Sequence, residues 1–558
     1  MLTGFVTLSL WLCTAIALPL TQVPSLLDIS ITKLGQLLEA GDITSYSLVE
    51  LYIQRAKEVK DELHAIIEFN PDALAIAQQL DGERAGGRLR GPLHGIPILI
   101  KDNYATRDEM LTGAGSVCLA RLRPRQDATV VAKLREAGAI LLGKTNLSEF
   151  SGVRGQNVTV GWSPRGGQTY GAYVEHQTAC GSSSGSGVAA TLGLAAATLG
   201  SETAGSITCP AVVSMAVGIK PTVGLTSRFG VVPITARQDT TGPIAQSVED
   251  AALILDAIAG FDGNDNYTWA QPWDAPPSYV SALDASALMG KRLGVAWIDE
   301  DLYPPSNTSR INIEHIRPVF NQALQKLEEA GAELVNVTLR ASQCPSITKC
   351  VQSLAENMGL YTSADIRDSM KRYLSLMLSS SDAMHDAREL FECLRTEPEE
   401  LADDPRYGLD DWEHVLQSNL TAGSIQAWEA YQAASELARA VMTDPIRDYN
   451  LDALVTIPEV ASMMTASPGL PIVTVPMGVL GNDAKTEWDR HDTVITTAPG
   501  LPLGISFTAD KWSEKELIAY AYAYEQASRK RQAYQPYMKP KTDLISVLSR
   551  ARLNNELR

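Results

Sequence analysis

The chain has 558 residues, of which 45% are hydrophobic and 20% charged, and its formal net charge is −18. This size and composition are those of a globular protein with one large core, or with a core and one sizeable insertion. A strongly acidic chain without a basic stripe lacks the groups that neutralise phosphates, which excludes a nucleic acid as its expected partner.

The N-terminal segment has the pattern of a signal peptide rather than of a folded element. Phe5–Leu18 is an uncharged apolar run that ends in Ala15-Ile16-Ala17, the small-x-small pattern of a cleavage site. The run is too short to cross a bilayer, although a retained anchor is the alternative because the usual basic region is missing. We predict a signal peptide over residues 1–17, a secreted protein and no membrane span after signal removal.

Cysteines and glycosylation sequons agree with export. Six cysteines remain without the predicted signal, an even number that permits disulfides in an oxidising compartment. Cys344 and Cys350 form the expected local pair, and the remaining connectivity is open. Asn146 carries a sequon but follows a predicted buried strand, so we expect it to stay unglycosylated. The candidate glycosylation sites are Asn157, Asn266, Asn307, Asn336 and Asn419.

From residue 30 onward, helical and strand patterns alternate along the chain. Thr44 or Ser45 is the predicted N-cap of the second helix, and Asp127 is the predicted N-cap of the helix that Gly138 ends. The predicted elements of this half are two helices within Ile31–Lys60, a strand at Ile96–Ile100, a helix at Ala128–Ala137, a strand at Ala139–Leu142, a helix and strand within Gly187–Gly200, and a helix at Ser247–Gly260.

The second half alternates in the same way except between residues 340 and 440, where long polar helices indicate a helical insertion. The other elements predicted there are strands at Arg292–Ile298, Glu333–Leu339, Ala453–Ile457, Ile472–Pro476 and Gly504–Ala509, with helices at Asn312–Ala332 and Ser513–Glu525. Alternation favours one large α/β domain over residues 30–545, with a mixed, mainly parallel twisted sheet covered by helices on both faces. The core motifs lie within residues 90–245, and residues 450–530 complete the core.

A lysine and two glycine–serine loops carry the chemistry that the sequence indicates. Lys101 closes the apolar run that starts at Gly95, and burial of such a lysine lowers its pKa toward a neutral amine. The loops are Gly181–Gly185 and Gly205-Ser206. Because a neutral amine is a base and a serine needs a base to become a nucleophile, these residues predict a serine hydrolase site without histidine.

Two other motif matches are less consistent with their surroundings. Gly138–Thr145 fits the P-loop pattern, but its middle residues form a predicted buried strand rather than an exposed phosphate cradle. Gly181–Gly185 also fits a nucleophile elbow with Ser183 as the attacker. That elbow should follow a hydrophobic strand, whereas Gly171–Cys180 is polar, and His491 is the late histidine it would need. Scattered histidines predict no metal site.

Together these motifs resemble the amidase signature hydrolases. The resemblance implies the fold of that family, Ser206 as nucleophile, Ser182 as a bridging serine after a cis peptide bond, and Lys101 as base. It also implies an oxyanion hole from the backbone amides of Thr203, Ala204, Gly205 and Ser206, and no cofactor. The segments that carry it are Leu93–Asn103, Gly143–Asn146, Cys180–Gly187, Leu199–Ile207, Gly218–Thr222, Asp239–Pro243, Pro468–Pro471 and Pro499–Pro502.

Three positions depart from the family pattern. Ser184 and Ala204 replace glycines, and Glu202 stands where aspartate is usual. The methyl group of Ala204 is expected to narrow the range of substrates. The function implied is hydrolysis of a small-molecule amide by a secreted amidase through an acyl-enzyme. The alternatives are the glutaminase component (the A component) of a tRNA-dependent amidotransferase and a catalytically silent binding protein on the same scaffold.

Overall fold

The protein, described here by a computed structural model, is built on a wide β-sheet. The structure describes residues 24–296, 313–337, 347–378 and 383–548. The strands of this part of the chain are β1 (Ile66–Phe69), β2 (Pro97–Lys101), β3 (Ile140–Thr145), β4 (Trp162–Ser163), β5 (Gly167–Gln168), β6 (Ala197–Glu202), β7 (Val217–Lys220), β8 (Thr240–Ala245), β9 (Arg292–Ala296), β10 (Glu333–Val337), β11 (Ala453–Thr456), β12 (Ile472–Val479), β13 (Glu487–Trp488), β14 (Ile495–Thr497) and β15 (Pro502–Thr508).

Helices cover this sheet, and the buried side chains of the two layers form one large core. The helices within the described ranges are α1 (Ile31–Glu39), α2 (Ser45–Lys57), α3 (Lys60–Leu63), α4 (Ala73–Ala85), α5 (Thr129–Glu136), α6 (Ser184–Leu192), α7 (Thr208–Val212), α8 (Val248–Ile258), α9 (Ile313–Glu329), α10 (Ile347–Leu374), α11 (Ala387–Thr396), α12 (Asp410–Gln417), α13 (Ile425–Met442), α14 (Asp444–Asp448), α15 (Pro458–Ala466), α16 (Glu514–Ser528) and α17 (Lys530–Ala533).

Eleven strands of the described ranges pair in the order β1-β3-β2-β6-β8-β7-β12-β15-β11-β9-β10. The prediction of a single α/β domain with a mixed sheet is confirmed. The sheet is not mainly parallel, however, because six of its neighbouring pairs are antiparallel and four are parallel. The strands β1, β7 and β8, which the sequence patterns did not predict, each take part in antiparallel pairs. A connection without a helix suffices for such pairs, as between β7 and β8.

The predicted helix starts differ in accuracy. Thr44 caps α2 with a capping box, in which its side chain accepts from Ser47 N and the Ser47 hydroxyl is bonded to the backbone of the cap residue. Asp127 is not the cap of α5, since Ala128 occupies that position without a side-chain bond. The Asp127 carboxylate instead accepts from the amide of Arg107 at 2.6 Å and pairs with Arg135 at 3.0 Å. These two bonds replace the single capping bond that was predicted.

The region between residues 347 and 442 is helical over most of its described length, as predicted for the insertion. It contributes to a second apolar cluster, which includes Phe150 and Trp412 in edge-to-face contact. A disulfide between Cys118 and Cys393 also joins this region to the core. Buried Arg154 adds a third link, because its guanidinium donates to Glu400 on the helical side. The boundaries 30–545 and 340–440 remain predictions.

Candidate active site

The order of the strands brings Lys101 next to the second glycine–serine loop. Strand β2 lies parallel to β6, with Ile100 opposite Leu199. The carboxyl ends of parallel neighbours lie at the same edge of a sheet, so Lys101, the last residue of β2, faces the residues that end β6. Lys101 is completely buried there. A lysine predicted from an apolar run is therefore held beside the loop predicted to contain the nucleophile.

The amino group of Lys101 has three close contacts. Its Nζ lies 2.7 Å from Ser182 Oγ, 2.9 Å from Ser201 Oγ and 3.3 Å from the Ser201 carbonyl oxygen. Asn103 donates through Nδ2 to the same Ser201 hydroxyl at 2.9 Å. Ser201 thus contacts the amino group of Lys101, a contact that the sequence analysis missed. The sequence offered one signal for this residue: Ser201 directly follows Gly200 within a family-like segment.

Burial changes the acid–base chemistry of Lys101. Removal of the charged ammonium from water lowers the pKa of Lys101 to about 7, although the carboxylates of Asp239 and Glu202 act in the opposite direction. A lysine with this pKa is about half neutral at pH 7 and has a lone pair that can accept a proton. The side chain therefore has the protonation state that a general base requires.

The two serine loops are joined by their backbones. The peptide bond between Gly181 and Ser182 is cis, as the resemblance implied. The carbonyl oxygen of Ser182 accepts from Ser148 N at 3.0 Å, and the carbonyl oxygen of Ser206 accepts from Ser183 N at 3.2 Å. Ser182 is 2% exposed and Ser206 is 8% exposed. The structure thus places the Lys101 and Ser182 side chains in contact and bonds the backbone beside Ser182 to that of Ser206, in a shielded position.

A disulfide and a side-chain bond support the first loop. Cys180 precedes the cis bond, and its sulfur is bonded to Cys209 at the start of α7, three residues after Ser206. Ser184, which replaces the usual glycine, donates through Oγ to the carbonyl oxygen of Cys180 at 2.5 Å. Ser183, the attacker in the elbow interpretation, is fully buried and donates to the Ser201 carbonyl oxygen at 3.2 Å.

Glu202 organises the loop that was predicted to form the oxyanion hole. Its carboxylate accepts from the amides of Gly205 at 2.8 Å, Ile207 at 2.7 Å and Thr208 at 2.9 Å. The Gly205 amide, one of the four predicted oxyanion-hole donors, is therefore already bonded to a carboxylate one short loop away, which competes for its N–H. Gly205 has a φ of +89°, a conformation that favours glycine.

Three of the predicted oxyanion donors stay open. Within the described part of the chain, no group accepts a hydrogen bond from the amides of Thr203, Ala204 or Ser206. The hydroxyl of Thr203 donates to Asp239 at 2.7 Å, which holds this turn of the loop in place. Free amides in a fixed loop beside a serine can stabilise a developing negative charge on oxygen.

Two cavities border the loop from Ser201 to Ser206, which we call the nucleophile loop after its predicted role. We call the first, of about 670 Å³, the polar pocket; Thr203 and Asp239 line it, as do Arg228, Arg372 and Tyr267. We call the second, of about 520 Å³, the apolar pocket; it is bordered by Gly181, Ala204 and Gly205 and is lined largely by aliphatic and methionine side chains. A substrate amide at the loop can therefore extend into two chemically different spaces.

The glycosylation candidates lie in different environments. Asn157, Asn266, Asn336 and Asn419 are exposed. Asn157 accepts from Arg490 at 2.8 Å through Oδ1, and Asn266 lines the polar pocket. The buried Asn146 donates to the Gly167 carbonyl and Thr169 Oγ1 at 2.9 Å each, while its Oδ1 accepts from Ser163. Asn307, Cys344 and the predicted signal peptide lie outside the described residues.

Metal and membrane features can be assessed only over the described ranges. There, no group of three or more histidine, cysteine, aspartate or glutamate side chains could hold a metal ion. No helix in the same ranges combines the length and apolar character needed to traverse a bilayer. Gly138–Thr145, the P-loop match, includes the buried strand β3, which leaves no exposed phosphate cradle.

Comparisons with known proteins identify the family of the chain. The amidase family model matches residues 47–518. A protein of Arthroderma benhamiae whose name assigns it to the amidases is 42% identical over 513 residues, 91% of this chain and 83% of the relative. The solved structure of native peptide amidase from Stenotrophomonas maltophilia is 36% identical and covers 92% of this chain and 98% of its own, with a TM-score of 0.79.

A more distant relative is a component of the glutamyl-tRNA(Gln) amidotransferase of Cutibacterium acnes, its A component. It is 32% identical over 375 residues, 66% of this chain and 70% of the relative. Fold, site and comparisons together define a hydrolase of carbon–nitrogen amide bonds. The chain belongs to the amidase signature family.

Proposed function

We propose that this amidase cleaves its substrate through a relay of Lys101, Ser182 and Ser206. The observation that carries the proposal is the 2.7 Å contact between the buried Lys101 amine and Ser182 Oγ, in a loop bonded to Ser206. Neutral Lys101 accepts the proton of Ser182, which accepts that of Ser206. The Ser206 oxygen then attacks the amide carbonyl carbon.

The second half of the reaction runs the same relay in reverse. The proton returns through Ser182 to the leaving nitrogen while its bond to the carbonyl carbon breaks, and an acyl-enzyme on Ser206 remains. Water, deprotonated by the same relay, then releases the carboxylate. The open amides of Thr203, Ala204 and Ser206 would hold the tetrahedral oxyanion, each worth about 3 kcal/mol of transition-state stabilisation.

A serine-directed fluorophosphonate tests this assignment directly. We expect covalent labelling of the active protein, with the labelled residue located at Ser206 by peptide mass spectrometry. Ser206→Ala should abolish both labelling and amide hydrolysis without changing the circular dichroism spectrum. A label on Ser183 would favour the elbow interpretation, and a folded protein that is neither labelled nor active would favour a silent binding protein.

The relationship to the amidotransferase component supports a second candidate, hydrolysis of glutamine to supply ammonia. Similarity to that component extends over 375 residues. An ammonia-release assay with glutamine, beside simple aliphatic, aromatic and peptide amides, separates the two functions. Preference for glutamine over every simple amide would favour the amidotransferase role.

We also propose that the protein is exported. Support comes from the predicted signal over residues 1–17 and from the disulfides Cys118–Cys393 and Cys180–Cys209, a bond type that persists in oxidising compartments. Expression in a eukaryotic host should deliver the protein to the medium with an N-terminus after Ala17. Retention in the cell with an intact N-terminus would contradict export.

A further inference from the structure

The apolar pocket contains one ionisable group that its surroundings do not explain. Glu459 lies in the first turn of α15 and lines this pocket together with Met358, Met463 and Leu503. Among the residues that the structure describes, no lysine, arginine or histidine forms an ion pair with it, and its pKa is raised by burial. A carboxyl group in apolar surroundings is costly unless a partner satisfies it.

Two other polar side chains of the pocket, those of His315 and Ser462, are engaged elsewhere. His315 also lines the cavity, but its Nδ1 lies 3.1 Å from the Asp483 carboxylate. The Ser462 hydroxyl donates to the backbone carbonyl of Glu459 at 3.2 Å, so it does not bond the carboxyl, whose own hydrogen bond is with the backbone amide of Glu459 itself. The N-terminal position of Glu459 suits the helix dipole, but that effect does not require the carboxyl to face a cavity.

The position of Glu459 relative to the nucleophile loop limits what it can contact. A methyl group built on Gly205 would lie 3.5 Å from Ser462 Oγ, so this face of α15 adjoins the loop. Glu459 is three residues earlier on the same helix, about 4.5 Å along its axis. In an amino-acid amide, the α-nitrogen lies about 2.5 Å from the carbonyl carbon. A hydrogen bond of about 2.9 Å from this nitrogen extends the reach to about 5.4 Å from the carbonyl carbon. This reach exceeds the axial distance of about 4.5 Å between Ser462, beside the loop, and Glu459.

We propose that Glu459 determines specificity by binding an N–H group on the α-carbon of the substrate acyl group. The apolar walls of the same pocket would enclose the side chain of that residue. The substrate class is then an α-amino-acid amide or a peptide amide, whose α-nitrogen is either an ammonium or a peptide N–H. This inference rests on the proposed amide hydrolysis at Ser206.

Three amides that share a phenylalanine-like side chain test the proposal. 3-Phenylpropanamide has no α-nitrogen, N-acetylphenylalaninamide has a neutral N–H, and phenylalaninamide has an ammonium. Wild-type protein should prefer at least one nitrogen-bearing amide. Glu459→Leu should lower kcat/KM for that amide by about tenfold to hundredfold, the range for a hydrogen bond to a charged group, and leave 3-phenylpropanamide unchanged. Glu429→Gln, at an exposed carboxylate on α13, is the matched control.

Glu459→Gln identifies the bound group and preserves the shape of the pocket. It should retain activity on N-acetylphenylalaninamide if the peptide N–H is bound, and lose activity on phenylalaninamide if the ammonium is bound. An equal loss on all three amides with either variant, or no loss with both, would overturn the role of Glu459 while Ser206-dependent hydrolysis continued. If none of the three amides were cleaved, the proposed function would fail as well.

Discussion

The contacts of Lys101 give a direction to each of the two N–H groups and to the lone pair of a neutral amine. The carbonyl oxygen of Ser201 can only accept, so one N–H of Lys101 points to it, and the Ser201 hydroxyl takes the second. The lone pair is then directed at Ser182 Oγ, 2.7 Å away. In the proposed relay, Ser201 would thus set the direction of proton transfer without itself reacting.

Replacing Ser201 tests this positioning. Ser201→Ala removes one of the two acceptors, so we expect kcat to fall about tenfold to hundredfold while KM changes little. Ser201→Thr keeps the hydroxyl and should restore most of the activity. Steady-state kinetics with circular dichroism measures both effects. Wild-type kcat in the alanine variant would contradict the positioning role.

The pKa of Lys101 predicts the pH dependence of the reaction. Only the neutral amine is a base, and at a pKa of about 7 its fraction is about 10% at pH 6 and about 90% at pH 8. Activity should therefore rise through neutrality and level off above it. A pH profile of kcat/KM on a neutral amide measures this limb. Maximal activity near pH 5 with loss above pH 7 would rule out Lys101 as the base.

The relay predicts that mutational losses do not add. Lys101→Ala and Ser182→Ala should each reduce kcat severely, and the double variant should be little worse than either, because each change interrupts the same proton path. A double-mutant cycle in kcat measures the coupling. Strictly additive losses would mean that the two side chains act independently.

At the level of secondary-structure elements, the Glu202 side chain connects the end of β6 to the start of α7. Its carboxylate bonds the amides of Gly205, Ile207 and Thr208, so one side chain sets the shape of the whole loop. Glu202→Ala should lower the free energy of unfolding by about 3 kcal/mol, since amide donors lose their acceptor, and should also reduce kcat.

Chemical denaturation and kinetics on the same Glu202→Ala sample test both effects. Glu202→Gln keeps one acceptor oxygen and is expected to be intermediate. An alanine variant with unchanged stability and activity would show that the loop keeps its shape without the carboxylate.

We expect the two described disulfides to differ in their effects on thermal stability and on activity. Cys118–Cys393 closes a sequence separation of 275 residues and joins the helical region to the core, whereas Cys180–Cys209 closes 29 residues beside the site. Chain entropy gives about 5.6 and about 3.6 kcal/mol for such loops. Paired serine substitutions at Cys118 and Cys393 should lower Tm more, and those at Cys180 and Cys209 should lower kcat more. The reverse ranking would contradict this division.

Glycosylation of the protein in a eukaryotic host provides a test at the scale of the whole molecule. Asn146 is buried and uses its amide in three hydrogen bonds, so we expect it to stay bare. We expect glycans on Asn266, Asn307 and Asn419. Peptide mapping of protein secreted from a eukaryotic host measures occupancy at each position. A glycan on Asn146 would be incompatible with the packing of this strand end.

What the sequence determined by itself is local or carried by motifs. The α/β class, the start of α2 at Thr44 or Ser45, and the family follow from patterns within short segments. The spacing of the glycine–serine loops also identified Lys101, Ser182 and Ser206 as one candidate site. Each of these features depends on neighbouring residues or on a motif, so none required knowledge of distant contacts.

Only the tertiary structure decided which distant groups meet. The antiparallel pair of β7 with β12 depends on a partner far along the chain, as does the disulfide between Cys118 and Cys393. The use of the Gly205 amide by Glu202 was equally hidden, because competition for a donor is settled by side-chain geometry. The apolar pocket is assembled from segments as distant as Gly181 and Glu459, and no local pattern encodes such a juxtaposition.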